Sequence, residues 1–381
     1  MRSPQASSLR NTETTKSRWI LGPLADLILM YGMLMLSAIM YFYLPSAEDT
    51  FKRVAVIVVT LLLSGGHLLA PLVLLLFSSN ERNRAAVIDP RIGRKLVLIA
   101  VFCVTMFSLS SFLFFVLDGS EWRNELSYIP LALIGATWVF WNGWHFGMQH
   151  FGILQIYRIK SDTLRKFSRQ FDYWSAIIVG YIFPLVMLFS AGRHSSFFRH
   201  YLDPLQFIDP IVKPLTVLVV VLGITTCALL FLTKSFRTPL VLAYTSLYVQ
   251  AYLVWVEPGV FYVLSVAGTH WFQEIFLISW LYSRDKTNQE RAEKSLRTRK
   301  TFYLISAMAF LFTLSILKSR LHSIPFIYNI RISGDSFIYN LGNQPALLYF
   351  AGALIASFFM FFNLAHFYLD RIIYQKRAWK T

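Results

Sequence analysis

IPLALIGATWVFWNGWHFGMQHFGI, residues 129–153, runs from Ile129 to Ile153 without one Asp, Glu, Lys or Arg. About 20 such residues, rising ~1.5 Å each along a helix, cover the ~30 Å of a bilayer's hydrocarbon. The stretch therefore reads as a membrane span, and His145 and His150 inside it become the unusual residues. Outward from it the same pattern recurs, at roughly 19–44, 54–77, 96–117, 173–191, 214–232, 238–256, 260–281, 302–317 and 347–368. With 56% hydrophobic and 15% charged residues, no soluble core accounts for so many runs. The expected fold is all-α, a polytopic transmembrane helical bundle of about ten spans. Its organisation is a basic tail over 1–18, one helical domain over 19–368 and a second basic tail over 369–381.

The run from Trp19 to Leu44 follows a basic stretch but has no small-residue cleavage site, so it reads as an uncleaved first span and not as a signal peptide. Cys103 and Cys227, the two cysteines, both lie in apolar runs. That leaves no disulfide framework and no thiolate zinc site.

Short cytoplasmic loops carry the excess of Lys and Arg. The counts are four before the first span, five in 78–95, five in 154–172, two in 233–237, seven in 282–301 and four after Leu369. The alternate loops hold two in 45–53, one in 118–128, three in 192–213, none in 257–259 and three in 318–346. Both termini are thus expected in the cytoplasm, in an inner bacterial membrane. The net charge of +16 then belongs to loops facing anionic lipid headgroups. Nucleic acid is excluded as a partner because no soluble basic domain exists to bind it. The run Arg284 to Lys300 mixes acids with bases and reads as a solvated helical loop. The loop 318–346 is the longest external segment, and its apolar stretches 324–328 and 337–341 suggest an interfacial lid or re-entrant element.

Ionisable groups inside hydrocarbon are costly and mark function by default. Here they are His67, His145, His150, His270 and His366, with Glu274 and Asp370. With the expected topology the second, fourth, eighth and tenth spans run in one direction, and these residues fall in the cytoplasmic half, as does Asp26. His194, His200 and His322 fall in external loops. His270 and Glu274 are four apart, as are His366 and Asp370, so each pair shares a helical face. Asn142, His145 and Gln149 form one stripe. His150 is turned about 140° from His145 at ~3.6 residues per turn, so both reach one centre only if the helix bulges. Gly143, Gly147 and Gly152 permit that deformation, and equally permit close helix packing. Gly65, Gly66 and Pro71 weaken the second span around His67.

Imidazole and carboxylate donors without thiolate suit iron, zinc, copper or manganese, and with open positions they are the pattern of non-haem iron oxygen chemistry. Haem held by paired histidines is also open. The candidate metal ligands are His67, His145, His150, His270 and His366; Glu274, Gln149 and Asp370 are the candidate catalytic groups. The plainer reading is a set of separate hydrogen-bonded histidines. It weighs most for His150 and His366 near the interface, where His366 and Asp370 equally make a helix-end pair. Asp26 is as readily a pairing group for a neighbouring helix. The aromatic residues follow from girdles and lipid-facing packing.

Gly65-Gly66-His67, the segment Trp144-His145 to Gln149-His150-Phe151-Gly152, and the closing His366-Phe367-Tyr368-Leu369-Asp370-Arg371 together resemble a class of polytopic bacterial proteins with an intramembrane histidine site. The chain is distantly similar to the Brp/Blh type of β-carotene 15,15'-dioxygenase, with Gly-Gly-His where that type has a Pro-His-Gly motif and with more spans. The resemblance implies one iron held by histidines of several helices. Desaturase-type histidine boxes are absent, since no histidines are adjacent or four apart. No Walker loop, Gly-x-Ser-x-Gly elbow or His-Glu-x-x-His occurs either.

Two functions fit these residues. One is a membrane-embedded, metal-dependent oxidoreductase, a non-haem iron oxygenase acting on a membrane lipid or isoprenoid. The other is a transporter or proton-coupled carrier using the same groups as a relay, with Pro23, Pro71 and Pro184 marking broken helices.

Overall fold

The computed structural model describes residues 19–43, 63, 67, 90–117, 123–161, 163, 166–194, 203–233, 239–283, 357, 360, 361 and 364–366; every regular element among them is helical. The expected span 302–317, the loop 318–346, the run Arg284–Lys300, both tails and Asp370 lie outside the described residues, as do most of 54–77 and 347–368.

Helix α1 is Pro23–Tyr43. The apolar run begins at Trp19, but the helix begins four residues later. Pro23 lacks the N–H that a first helical residue would leave unbonded, and Gly22 before it has φ 135, where a side chain would be strained. The preceding turn folds onto Asp26, whose carboxylate accepts the N–H groups of Ile20 and Leu21, each at 2.8 Å, and the Tyr157 hydroxyl at 2.9 Å. Asp26 is thus bonded to its own helix entry and to a neighbouring helix, and is fully buried.

Helix α2, Pro90–Val116, packs along α3, Arg123–Lys160. The 38 residues of α3 extend past both ends of the apolar run, giving a helix ~57 Å long. Then follow α4, Lys166–Ile177, a π-helical turn Ile178–Ile182 and α5, Phe183–His194. In that turn the Phe183 N–H bonds Ile178 O, five residues back. Pro184, next along, has no N–H to donate and its ring would crowd the carbonyl four residues earlier. A short 3-10 segment, Asp203–Ile208, leads into α6, Asp209–Leu232. Helix α7, Leu240–Val256, is followed by α8, Pro258–Phe261, a second π turn, Tyr262–Ala267, and α9, Gly268–Ser283.

Helix α3 packs against α2, α4, the first π turn and α7, whereas α1 packs against α7, the second π turn and α9. Glycines set the closest approaches. A Cβ on Gly147 would lie 3.1 Å from Ile177 Cδ1 and 3.3 Å from Ala176 O, and one on Gly143 would meet the Tyr181 ring. These glycines serve close packing. They do not bend α3, which keeps α-helical geometry throughout.

Gly93–Leu113, Ser168–Arg193 and Gln206–Leu232 are long and apolar enough to cross a membrane; Pro23–Ile39 and Leu240–Val256 are shorter apolar helices. On α6, Val217, Val220, Ile224, Phe231 and Leu232 are more than half exposed.

At one end of α3, a buried ion pair lies in what the charge pattern assigns to a loop. Arg158 donates to both Asp172 oxygens, at 2.9 and 2.8 Å, Gln155 donates at 2.8 Å, and the Tyr244 hydroxyl donates to the same carboxylate. Burial works against the Arg158 charge, but its bonds and attraction to Asp172 outweigh that and raise its pKa.

Candidate metal centre

The second π turn sets up the site. Its Gly268 N–H bonds Val263 O, five residues back, where an α-helix would use four. One extra residue in the turn rotates the succeeding helix by about 100°, and such insertions gather at functional positions. Helix α9 leaves this turn with His270 and Glu274 one helical turn apart on the same face. Helix α3 brings His145, and the helical residues His67 and His366 complete the group.

One donor atom from each of His67, His145, His270, Glu274 and His366 lies within 4.8 Å of the other four. Three imidazoles meet the carboxylate through Nε2: His67 stands 3.3 Å from Glu274 Oε2, His270 3.5 Å and His145 3.9 Å. The His67 and His270 Nε2 atoms are 2.9 Å apart. His366 closes the ring of imidazoles, its centroid 4.3 Å from that of His67 and 5.3 Å from that of His145. His67, His270 and Glu274 are at most 1% exposed, His366 2% and His145 6%.

These distances fit one ion. Metal–nitrogen bonds are about 2.1 Å, so opposite donors sit ~4.2 Å apart and donors ~2.9 Å apart subtend roughly 90° at the ion. Side-chain rotations of a few tenths of an ångström draw the widest separation in. The chemistry agrees, because a carboxylate taken out of water is tolerated when a cation lies beside it. Among the described residues the group supplies five donors.

Apolar walls enclose the group. Phe146 packs on His270 with centroids 4.4 Å apart, and the Trp271 ring stands edge-on to His67 at 6.3 Å. Gln149 donates to His270 O at 3.1 Å and to Gln273 Oε1 at 3.2 Å, tying α3 to α9. Gln273 in turn donates to Met30 Sδ of α1 at 3.7 Å. Ligating histidines usually donate their outer N–H to a further acceptor. The Nδ1 atoms of His67 and His270 have no partner among the described residues.

Of the residues singled out from the sequence, the structure brings together His67, His145, His270, His366 and Glu274. Gln149 stands behind His270 and not among the donors. His150 is outside the group. Both α3 histidines could face one centre only through a bulge, α3 has none, and the imidazole of His150 is directed to Gly180 and Gln250 instead. Gln273 was not legible as a site neighbour, although a buried amide within apolar sequence is the signal that marks it.

Comparison with protein-family models, with curated proteins and with solved structures found no match.

Proposed function

We propose that the chain is a multi-pass membrane oxidoreductase whose histidine–glutamate group holds one first-row transition metal, non-haem iron before zinc, copper or manganese, and acts on a lipid or isoprenoid. The observation that carries this reading is the convergence of five buried donor atoms within 4.8 Å of one another, from segments as far apart in sequence as His67 and His366. Four imidazoles and a carboxylate suit ferrous chemistry. When bound, the metal would supply activation of dioxygen.

The chain's own residues do the rest. His67, His145, His270 and His366 would present nitrogen lone pairs, and Glu274 would offset part of the ion's charge. Phe146 and Trp271 exclude water, while Gln149 holds α9 against α3 and so keeps His270 and Glu274 aligned with His145. The exposed apolar faces of α2 and α6 support the membrane setting, since soluble monomers rarely show large contiguous apolar patches. A site enclosed by apolar helices is suited to an apolar substrate arriving from the bilayer.

Elemental analysis of detergent-purified protein, expressed in metal-replete medium, tests the reading. It expects about one iron per chain and a ferrous Mössbauer signal without haem absorption. Protein that holds no metal, but moves protons or solute when reconstituted in vesicles, would replace the enzyme with a carrier.

A further inference from the structure

Gln273 stands on α9 between the two ligands that this helix supplies, three residues after His270 and immediately before Glu274, and is fully buried. Its carboxamide is bonded at both ends. Oε1 accepts Gln149 Nε2 from α3 at 3.2 Å, and Nε2 donates to Met30 Sδ of α1 at 3.7 Å. Met30 is itself held, because its carbonyl accepts the Ser246 hydroxyl of α7 at 3.1 Å, and Ser246 Oγ in turn accepts Gln250 Nε2 at 3.3 Å. Gln149, Met30, Ser246 and Gln250 are each at most 2% exposed, so bulk water does not compete for these bonds.

The second bond of Gln149 adds a further hold. Its Nε2 also reaches His270 O at 3.1 Å, the carbonyl that in an α-helix accepts the N–H of residue 274. Helix α9 is therefore gripped from α3 at the carbonyl that closes the turn between its two ligands and at the Gln273 side chain, and from α1 at the other end of that side chain. A single contact would fix the distance of α9 and leave it free to turn; contacts on two flanks fix the turn as well. A bound ion would feel that turn directly. Side-chain ends lie ~5–6 Å from a helix axis, so a rotation of about 10° carries His270 and Glu274 roughly 1 Å, beyond the ~0.5 Å within which a working site must be held.

We propose that Gln273 is a positioning residue of the metal centre, setting the rotation of α9 so that His270 and Glu274 face the same ion. This role rests on the reading of the histidine–glutamate group as a metal site. A buried amide is a costly choice for packing alone, since a leucine fills similar space without needing partners at both ends. Met30 is the anchor on α1. Ser246 and Gln250 steady that anchor and make no hydrogen bond to α9 among the described residues, which separates the stability of the bundle from the alignment of the ligands.

Cobalt(II) is the probe, loaded into the full-length, detergent-purified protein after chelation of any resident metal. Its visible ligand-field bands read donor geometry, and competition with a chelator reads affinity. In Gln273→Leu the bands should shift and the affinity should fall at least about 10-fold, the lower end of what losing a group that orients metal ligands costs. Met30→Leu, which removes only the acceptor on α1, should change both in the same direction by less. Ser246→Ala is the structural control: it should lower the thermal midpoint by a few degrees while bands and affinity stay as in the parent. If Gln273→Leu does not fold, Gln273→Met keeps the length of the side chain without its N–H donor and should show the same loss. Parent-like bands and affinity in the Gln273 variant would make Gln273 a packing group and overturn the proposal. An equal band shift in Ser246→Ala would also overturn it, by tying the signal to general loosening of the bundle. A parent that binds no cobalt would instead remove the metal reading, and the positioning role with it.

Discussion

His67 and His270, 203 positions apart in sequence, meet with their Nε2 atoms 2.9 Å apart. Two neutral imidazoles cannot both point lone pairs at each other across that distance; a proton or a cation must lie between them or beside them. Glu274 Oε2, 3.3 Å from one and 3.5 Å from the other, favours the cation. Replacing His67, His270 or His145 with Ala is therefore expected to abolish most metal retention. His322→Ala, in the loop the charge pattern places outside, should retain the parent's metal content. Metal content per folded chain, measured after size-exclusion chromatography, decides it. Equal metal in all variants would mean that the histidines are separate packing groups.

Glu274→Gln tests charge apart from shape. The amide fills the same space but offers no negative charge, so metal affinity should fall by at least the 10–100-fold typical of losing a supporting group around a metal. Competition with a chelator of known affinity measures this. Unchanged affinity would leave Glu274 as a hydrogen-bonding neighbour of the imidazoles and no ligand.

Much of this centre was legible because ionisable residues stand out in apolar sequence, and because the four-residue spacing of His270 and Glu274 fixes a shared face whatever else the helix does. His150 was not assignable from spacing alone. Its direction depended on whether α3 bulges, and α3 stays regular while the π turns form at Ile178–Ile182 and Tyr262–Ala267. The first turn has a sequence cause in Pro184. We have no physical account of why the second forms where it does. The ends of α3 escape a charge-based reading for a different reason: Arg158 looks like loop charge, yet Asp172 and Tyr244 bury it in the bundle.

That ion pair gives a stability prediction. Asp172→Ala leaves the Arg158 guanidinium buried with no carboxylate, and breaking a buried pair from one side costs about 3–5 kcal/mol. Thermal or denaturant unfolding in detergent should show a loss of that order, and Arg158→Leu with Asp172→Leu together should recover much of it. A loss under about 1 kcal/mol for Asp172→Ala would mean that water reaches the pair.

Gly147→Val is expected to disturb the metal centre without touching it. The added side chain meets Ile177, the Tyr181 Cβ and the Ala176 carbonyl, and backbone cannot swing aside as a side-chain end can. Overpacking of this kind costs roughly 1–3 kcal/mol. Since His145 is two residues away on α3, part of that strain should appear as weakened metal binding. Gly135→Val, where a Cβ meets nothing within 4 Å, is the matched control and should leave metal binding unchanged. Normal metal affinity in Gly147→Val would show that α3 can shift without moving His145.

The orientation of the helices supplies the last test. Seven Lys and Arg in 282–301 and five in 154–172, against one in 118–128 and three in 192–213, are the basis for expecting the ends of α9 and α3 on the cytoplasmic side. Reporter fusions at Ser79, Lys160, Asn288 and the C-terminus should accordingly report cytoplasm, and fusions at Gly119, Ser195 and Asn329 the opposite side. The pair that matters is Lys160 and Asn288. If both are cytoplasmic, α3 and α9 run in the same direction, and His145 and His270 meet at a common depth in the bilayer, as a site open to an apolar substrate requires. If they report opposite sides, the positive-inside pattern has failed for one of the two helices. The ten-span topology and the access route from the bilayer would fall with it, leaving the histidine–glutamate group in a bundle of different orientation.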